Sequence, residues 1–319
     1  MVRVFVFIFS LIFFISCMAG DIQHDKKFSQ LKRVIYITLD GVRTEDFFLH
    51  PEYFPIFWNK YANIAKIYGK PNDKNTMVVA SVPVSLPSYQ SQMAGEVQPC
   101  EDNNCGRILV ETLPEKLKSQ FGFSKKAIAI FASWFEIEYA AQHIADSVFT
   151  NTGNMPVYDP DTKIADSVME ALNLQQSMDH YDDDITRYDR YTIDQAMHYF
   201  ETYMPRFLWI SLDDADEAAH GNNRTAYLAA LTLYDNFLDQ LFIKLKNLHL
   251  DEDTTVIVTT DHGRGIGHRW TDHGPETATS KFTWAFVING ELSPRAISNT
   301  KINYSTLSIR PTVEAIFQA

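Results

Sequence analysis

The chain has 319 residues, with 28 Lys and Arg against 40 Asp and Glu, for a formal charge of −12. That acid excess argues against nucleic acid as a structural partner, which would require a basic face for the phosphates. A hydrophobic content of 45% with 21% charged residues belongs to a globular chain and excludes a disordered one, and no internal repeat points to a solenoid or propeller.

Residues 1–20 have the layout of a secretory signal: Arg3, an apolar run from Val4 to Ile15 broken only by Ser10, then small residues. The run is short for a membrane span, and an uncleaved anchor is the alternative. Cys17 stands where a lipoprotein signal places its lipidated cysteine, although Phe14-Ile15-Ser16 departs from the usual pattern. A lipid anchor to the membrane through Cys17 and simple removal with the signal both stay open. Either way the mature protein is expected to be exported, to the periplasm or to the outer side of the cytoplasmic membrane. There Cys100 and Cys105 favour a small loop-closing disulfide, since a zinc knuckle would need two further ligands nearby.

The mature chain then alternates strands and helices. Arg33–Leu39 is a continuous β-favouring run that reads as a buried parallel strand delivering Asp40 at its end. Residues 53–68 have helical spacing, 76–84 reads extended, and 87–94 reads as a helix with Pro87 near its first turn. Helices follow over 112–120, 161–178 and 191–203, with a strand over 127–131. The acidic stretch from Asp179 to Asp184 reads as a solvated loop. A second buried strand, 206–212, ends in Asp213-Asp214; a long amphipathic helix covers 223–248; a third strand, 254–260, ends in Asp261-His262-Gly263. A strand over 282–288 and a closing helix over 310–317 complete the chain. The alternation predicts one α/β domain over 21–319, with a mostly parallel sheet and helices on both faces. Ligands of such sheets sit outside the carboxyl ends of the strands.

Three strands ending in acids would converge their carboxylates at one sheet edge. Unpaired, such groups repel one another and resist ionisation, and bound divalent metals relieve that repulsion. Adding imidazoles from His220, His262 and either His268 or His273 favours zinc over magnesium or calcium. Each piece has an ordinary alternative as a helix cap, a helix-face pair or a turn. Together they are harder to dismiss, because separated segments all present ligand types at strand ends.

These residues resemble the alkaline phosphatase superfamily, closest to its type I phosphodiesterase/nucleotide pyrophosphatase-like phosphatase branch. The resemblance runs over most of the mature chain. Asp40-Gly41-Val42-Arg43 after its strand looks like the first metal-binding segment. Ser85-Leu86-Pro87-Ser88-Tyr89 resembles the nucleophile turn, Asp216 with His220 the D-x-x-x-H motif, Thr260-Asp261-His262-Gly263 the T-D-H-G motif, and His273-Gly274 the late H-G ligand. The resemblance implies two Zn²⁺: one held by Asp216, His220 and His273, the other by Asp40, Asp261 and His262 with the Ser85 oxygen. It implies hydrolysis of a small phosphoester through a phosphoserine on Ser85, since coordination to zinc favours an otherwise weak alcohol nucleophile.

Ser81 and Ser88 are rival nucleophiles but do not stand directly before the Leu86-Pro87 step, and Asp213 and Asp214 rival Asp216 but lack a His four residues on. Arg43 and Arg264, beside the metal motifs, are candidates to meet a phosphate, with surface ion pairing the simpler expectation. A sulfatase of the same superfamily is the enzymatic alternative. Ser85-x-Pro87-Ser88 mimics the start of its modification motif, but Tyr89 stands where that motif continues with Arg. A non-catalytic metal- or ligand-binding protein on this fold is the other. Natural substrate, monoester or diester preference and oligomeric state are not encoded in these patterns.

Overall fold

The computed structural model describes residues 32–71, 76–181, 185–289 and 304–318. The expected signal segment and Cys17 lie outside the described residues, as do Asp182, Asp183 and Asp184 of the acidic stretch.

In chain order the elements that position the site are β1 (Arg33–Leu39), α1 (Thr44–Phe48), β2 (Lys66–Tyr68), β3 (Met77–Val78), α2 (Ser85–Ala94), α3 (Leu113–Phe121), β4 (Ile128–Ala132), α4 (Ile137–Ala141), β5 (Phe149–Thr152), α5 (Ser167–Met178), α6 (Asp189–Tyr203), β6 (Phe207–Leu212), α7 (Asp214–His220), α8 (Arg224–Asn247), β7 (Thr254–Thr259), β8 (Phe282–Thr283), β9 (Ala285–Asn289), β10 (Tyr304–Ser305) and α9 (Ile309–Gln318). The main sheet has seven strands in the order β2-β9-β7-β1-β6-β4-β5. Its run from β7 to β5 is parallel, while β9 and β2 are antiparallel at one edge.

β1 lies at the centre because every one of its residues is buried, so it tolerates helices on both faces. Its alternate residues enter two cores. Ile35, Ile37 and Leu39 face Tyr227, Leu231, Tyr234 and Leu238 of α8 and Ala196, Tyr199 and Phe200 of α6. Val34 and Tyr36 face Leu86, Tyr89 and Met93 of α2, Leu113 and Leu117 of α3, and Ile309 and Val313 of α9.

The expected layering is therefore present, with three differences. Residues 53–68 do not form one helix: a 3-10 turn at Pro51–Tyr53 and a π-helical turn at Phe57–Tyr61 precede β2, because Ile67 pairs with Phe286 at the sheet edge. The strand expected over 282–288 is two strands, β8 in a three-stranded sheet with β3 and β10, and β9 in the main sheet. α5 starts only at Ser167, where the Asp166 side chain caps the N–H groups of Val168 and Met169. Thr112 and Glu115 form a reciprocal capping box on α3, and Asn223 caps α8.

Candidate metal centre and nucleophile

β7, β1 and β6 are adjacent and parallel, so their carboxyl ends open on one edge. β1 runs into Asp40, β6 into Asp213 and α7, and β7 into Thr260-Asp261-His262. α2 starts at Ser85 directly above this edge. The structure brings Asp40, Ser85, Asp216, His220, Asp261, His262 and His273 together. Ser85 Oγ lies 3.3 Å from His262 Nε2 and 3.5 Å from Asp40 Oδ1. His262 Nε2 lies 3.4 Å from Asp261 Oδ2, 3.5 Å from Asp40 Oδ1 and 4.0 Å from Asp216 Oδ1. On the far side His220 Nε2 is 2.9 Å from Asp216 Oδ2 and 3.1 Å from His273 Nε2.

Tautomers follow from the carbonyl partners. His262 Nδ1 donates to the Gly263 carbonyl at 3.0 Å and His273 Nδ1 to the Pro83 carbonyl at 3.2 Å. A carbonyl only accepts, so both rings carry the proton on Nδ1 and turn an Nε2 lone pair into the cluster. Burial pushes both imidazoles down to about 4, with His262 adding to the effect on His273. They are therefore neutral near pH 7. His220 is raised instead, through its hydrogen bond with Asp216.

The carboxylates are crowded. Burial and then the charges of Asp261, Asp216 and Asp213 push Asp40 well above the usual carboxylate range. Asp261 is pushed up to about 7 by burial and by Asp216. Burial would raise Asp216 too, but the Arg264 guanidinium, with His220 and His262, holds it well below. The fully buried Asp261 Oδ2 has no hydrogen-bond partner among the described residues. Neutral imidazole lone pairs, an orphaned carboxylate oxygen and mutually repelling acids make up a donor set that suits divalent cations. Two triads, Asp40/Asp261/His262 and Asp216/His262/His273, have ligand atoms within 4.8 Å of one another, and so does Asp40/Asp213/Asp216.

The rivals separate. Asp213 also presents a carboxylate to the cluster, whereas Asp214 accepts from Tyr181 and the Asp189 N–H. His268 is exposed on a 3-10 turn and belongs to none of these triads. Ser88 donates to the Asp261 carbonyl at 2.7 Å and Ser81 to the Val82 carbonyl at 3.2 Å. Neither arginine is a surface ion pair. Arg264 is fully buried, donating to Asp216 Oδ1 and to the Thr271 carbonyl. Arg43 is buried on Asp46, which also takes Arg224 at 2.9 Å.

Several supporting residues escaped the motif reading. Tyr89, one helical turn after Ser85, donates to Asp40 Oδ2 at 3.0 Å. Asn103, inside the Cys100–Cys105 disulfide loop, accepts the Leu86 N–H at 3.0 Å. Gly41 has a φ of +62°, and a Cβ there would collide with the Asp216 carboxylate. Of these, only the i, i+4 spacing of Ser85 and Tyr89 and the Asp-Gly step after a strand left any trace in the sequence.

The architecture is that of the alkaline phosphatase superfamily. Similar solved structures include the phosphonate monoester hydrolase SpPMH from Silicibacter pomeroyi (12% identity, 90% of this chain and 73% of that chain, TM-score 0.58). The lipoteichoic acid synthase LtaP from Listeria monocytogenes follows at 12% identity over 90% of this chain and 72% of that chain, TM-score 0.55. The lipooligosaccharide phosphoethanolamine transferase A (EptA) from Neisseria meningitidis is an integral membrane protein with 11% identity over 95% of this chain and 61% of that chain, TM-score 0.57. At these identities the likeness shows the fold alone, and the three names carry different reactions. The chain belongs to the type I phosphodiesterase / nucleotide pyrophosphatase family, whose profile matches residues 110–273, just over half of its length. No curated protein sequence matches the chain. Among the described residues no helix is long and apolar enough to cross a membrane.

Proposed function

We propose that the protein is an exported two-zinc phosphohydrolase that cleaves small phosphomonoesters or phosphodiesters through a phosphoserine on Ser85. The observation that carries this reading is the position of Ser85 Oγ, at the first residue of α2 and between His262 Nε2 and Asp40 Oδ1. Asp40, Asp261 and His262 with the Ser85 oxygen would hold one zinc, and Asp216, His220 and His273 the other. Bound zinc supplies positive charge that favours the serine alkoxide and offsets the negative phosphoryl oxygens.

The chain's own groups do the rest. Ser85 Oγ gives up its proton and attacks phosphorus; the new O–P bond forms as the bond to the leaving oxygen breaks, and that oxygen departs as the alcohol with a proton from solvent. A water then forms its own O–P bond as the Ser85 O–P bond breaks, releasing the phosphate and returning a proton to Ser85. The N-terminal dipole of α2 favours the anion beside Ser85. Asp40, buried and anchored by Tyr89, keeps its second oxygen toward Ser85. The side chain of His220 is half exposed while Ser85 is 5% exposed, so substrate reaches the nucleophile from the His220 side.

The Cys100–Cys105 disulfide supports an oxidising compartment, and with it export to the periplasm or tethering through Cys17. Tyr89 weighs against the sulfatase alternative: the position of that motif's Arg is occupied by a buried phenol bonded to Asp40. The test is a panel of p-nitrophenyl phosphate, bis-p-nitrophenyl phosphate and p-nitrophenyl sulfate with added zinc, magnesium or calcium. Zinc-dependent phosphoester cleavage, lost in Ser85→Ala, is expected; sulfate-ester cleavage with calcium, or activity indifferent to Ser85, overturns the reading.

A further inference from the structure

Asp213 stands at the N-cap of α7, a position its residue type suits well, yet its side chain does not cap the helix. The first N–H groups of α7 are satisfied from α6 and α8 instead. Asp189 accepts the Asp213 N–H at 2.7 Å on one carboxylate oxygen and the Asp214 N–H at 2.8 Å on the other. The Ala215 N–H donates to the Tyr234 hydroxyl at 3.1 Å, and that hydroxyl donates to Asp189 at 2.6 Å. Ser133 Oγ donates to Asp189 at 2.5 Å, and the Asp189 N–H returns a bond to Asp214 Oδ1 at 3.1 Å.

Asp189 is fully buried and takes bonds only from donors, which an ionised carboxylate can do and an amide cannot. Its countercharge is at hand: Arg187, also fully buried, donates to Thr192 Oγ1 at 2.7 Å, which lies 2.7 Å from Ser133 Oγ. Relieved of capping, the Asp213 carboxylate lies within 4.8 Å of ligand atoms of Asp40 and Asp216.

We propose that Asp189 is the positioning residue of the metal centre. By capping α7 from outside, it frees Asp213 to face Asp40 and Asp216 and fixes the rotation of α7 that presents Asp216 and His220 together. The assignment rests on the two-zinc reading.

The test titrates zinc into the full chain, stripped and reloaded, as wild type and as Asp189→Asn, and follows amide exchange at residues 213–215. Asp189→Asn is expected to weaken one of the two zinc sites by about 10–100-fold, the range for partners that orient metal ligands, and to speed exchange at Asp213 and Asp214. Tyr234→Phe, which keeps its ring in the core and removes one donor, is expected to show the same one-sided loss in milder form. Unchanged zinc affinity at both sites with unchanged exchange overturns the proposal. So does equal weakening of both sites in the two variants, which marks a general loss of structure. Wild type that takes up no zinc removes the metal reading itself, and the exchange comparison still decides whether Asp189 caps α7.

Discussion

Tyr89 and Ser85 lie one turn apart on the same face of α2, and both address Asp40: the phenol donates to Oδ2 at 3.0 Å and the Ser85 hydroxyl lies 3.5 Å from Oδ1. One carboxylate thus links the helix that carries the nucleophile to the strand that carries the first metal ligand. Asp40 is crowded by Asp261, Asp216 and Asp213, and the phenol opposes that crowding. Tyr89→Phe keeps the buried ring and removes the donor. It is expected to weaken zinc binding by about 10–100-fold and to destabilise the loaded protein by about 1.5–3 kcal/mol, the range for a hydrogen bond to a charged group. Zinc titration and thermal melts check both.

Ser85→Ala is expected to lower phosphoester hydrolysis by at least about 10³-fold with the overall fold unchanged, because no other hydroxyl occupies its place. Ser88→Ala is the contrast. Ser88 is buried and bonded to the Asp261 carbonyl, so its loss costs about 1 kcal/mol of stability and spares the nucleophile. Steady-state kinetics beside melting curves separate the two.

Stripping metal with a chelator is expected to leave the sheet intact by circular dichroism and to lower the melting temperature, with zinc restoring it. The core packed on β1, β6 and β7 is mostly apolar, whereas the four acids Asp40, Asp213, Asp216 and Asp261 are left to repel one another. At a zinc concentration one hundred times Kd the stabilisation is about 2.7 kcal/mol. A melting temperature indifferent to zinc would sink this expectation.

Gly41→Ala is expected to damage the centre without touching a ligand. The left-handed backbone at φ +62° costs about 1–3 kcal/mol for an ordinary residue. The added methyl also meets the Asp216 carboxylate and the Arg264 guanidinium. Zinc stoichiometry below two with soluble protein is the predicted readout.

Acid sensitivity is expected at Glu115, in the capping box of α3. Burial pushes its carboxyl up, but donors from Thr112, His143, Ile144 and Ser147 outweigh it and leave the group below its ordinary value. A carboxyl lowered on folding contributes stability above its unfolded pKa of about 4.3, lost as the pH falls through the lower folded value. Glu115→Gln is expected to flatten that part of the stability curve and to cost about 1–3 kcal/mol at pH 7. Denaturant melts of both proteins across the acid range measure it.

The strands that build the centre were legible because each is a β-favouring run that stays buried whichever face it turns, and each ends on an acid. Parallel neighbours then bring Asp40, Asp213 and Asp261 to one edge by topology alone. His220 was legible from its i, i+4 spacing with Asp216, and the start of α2 from Pro87 in its first turn. By itself, then, the amino-acid order determined the alternating layers and the acids at the strand ends, because period, length and turn chemistry are local, while Ser85 stood out through the resemblance of its turn. Tertiary structure alone decided the break of residues 53–68 into a sheet edge, the burial of Arg43 and Arg264, the capping of α7 by Asp189 and the hold of Tyr89 on Asp40. Each of these pairs groups that are far apart in the chain or on different elements, and buried polar groups take whatever partner the packed core places within reach.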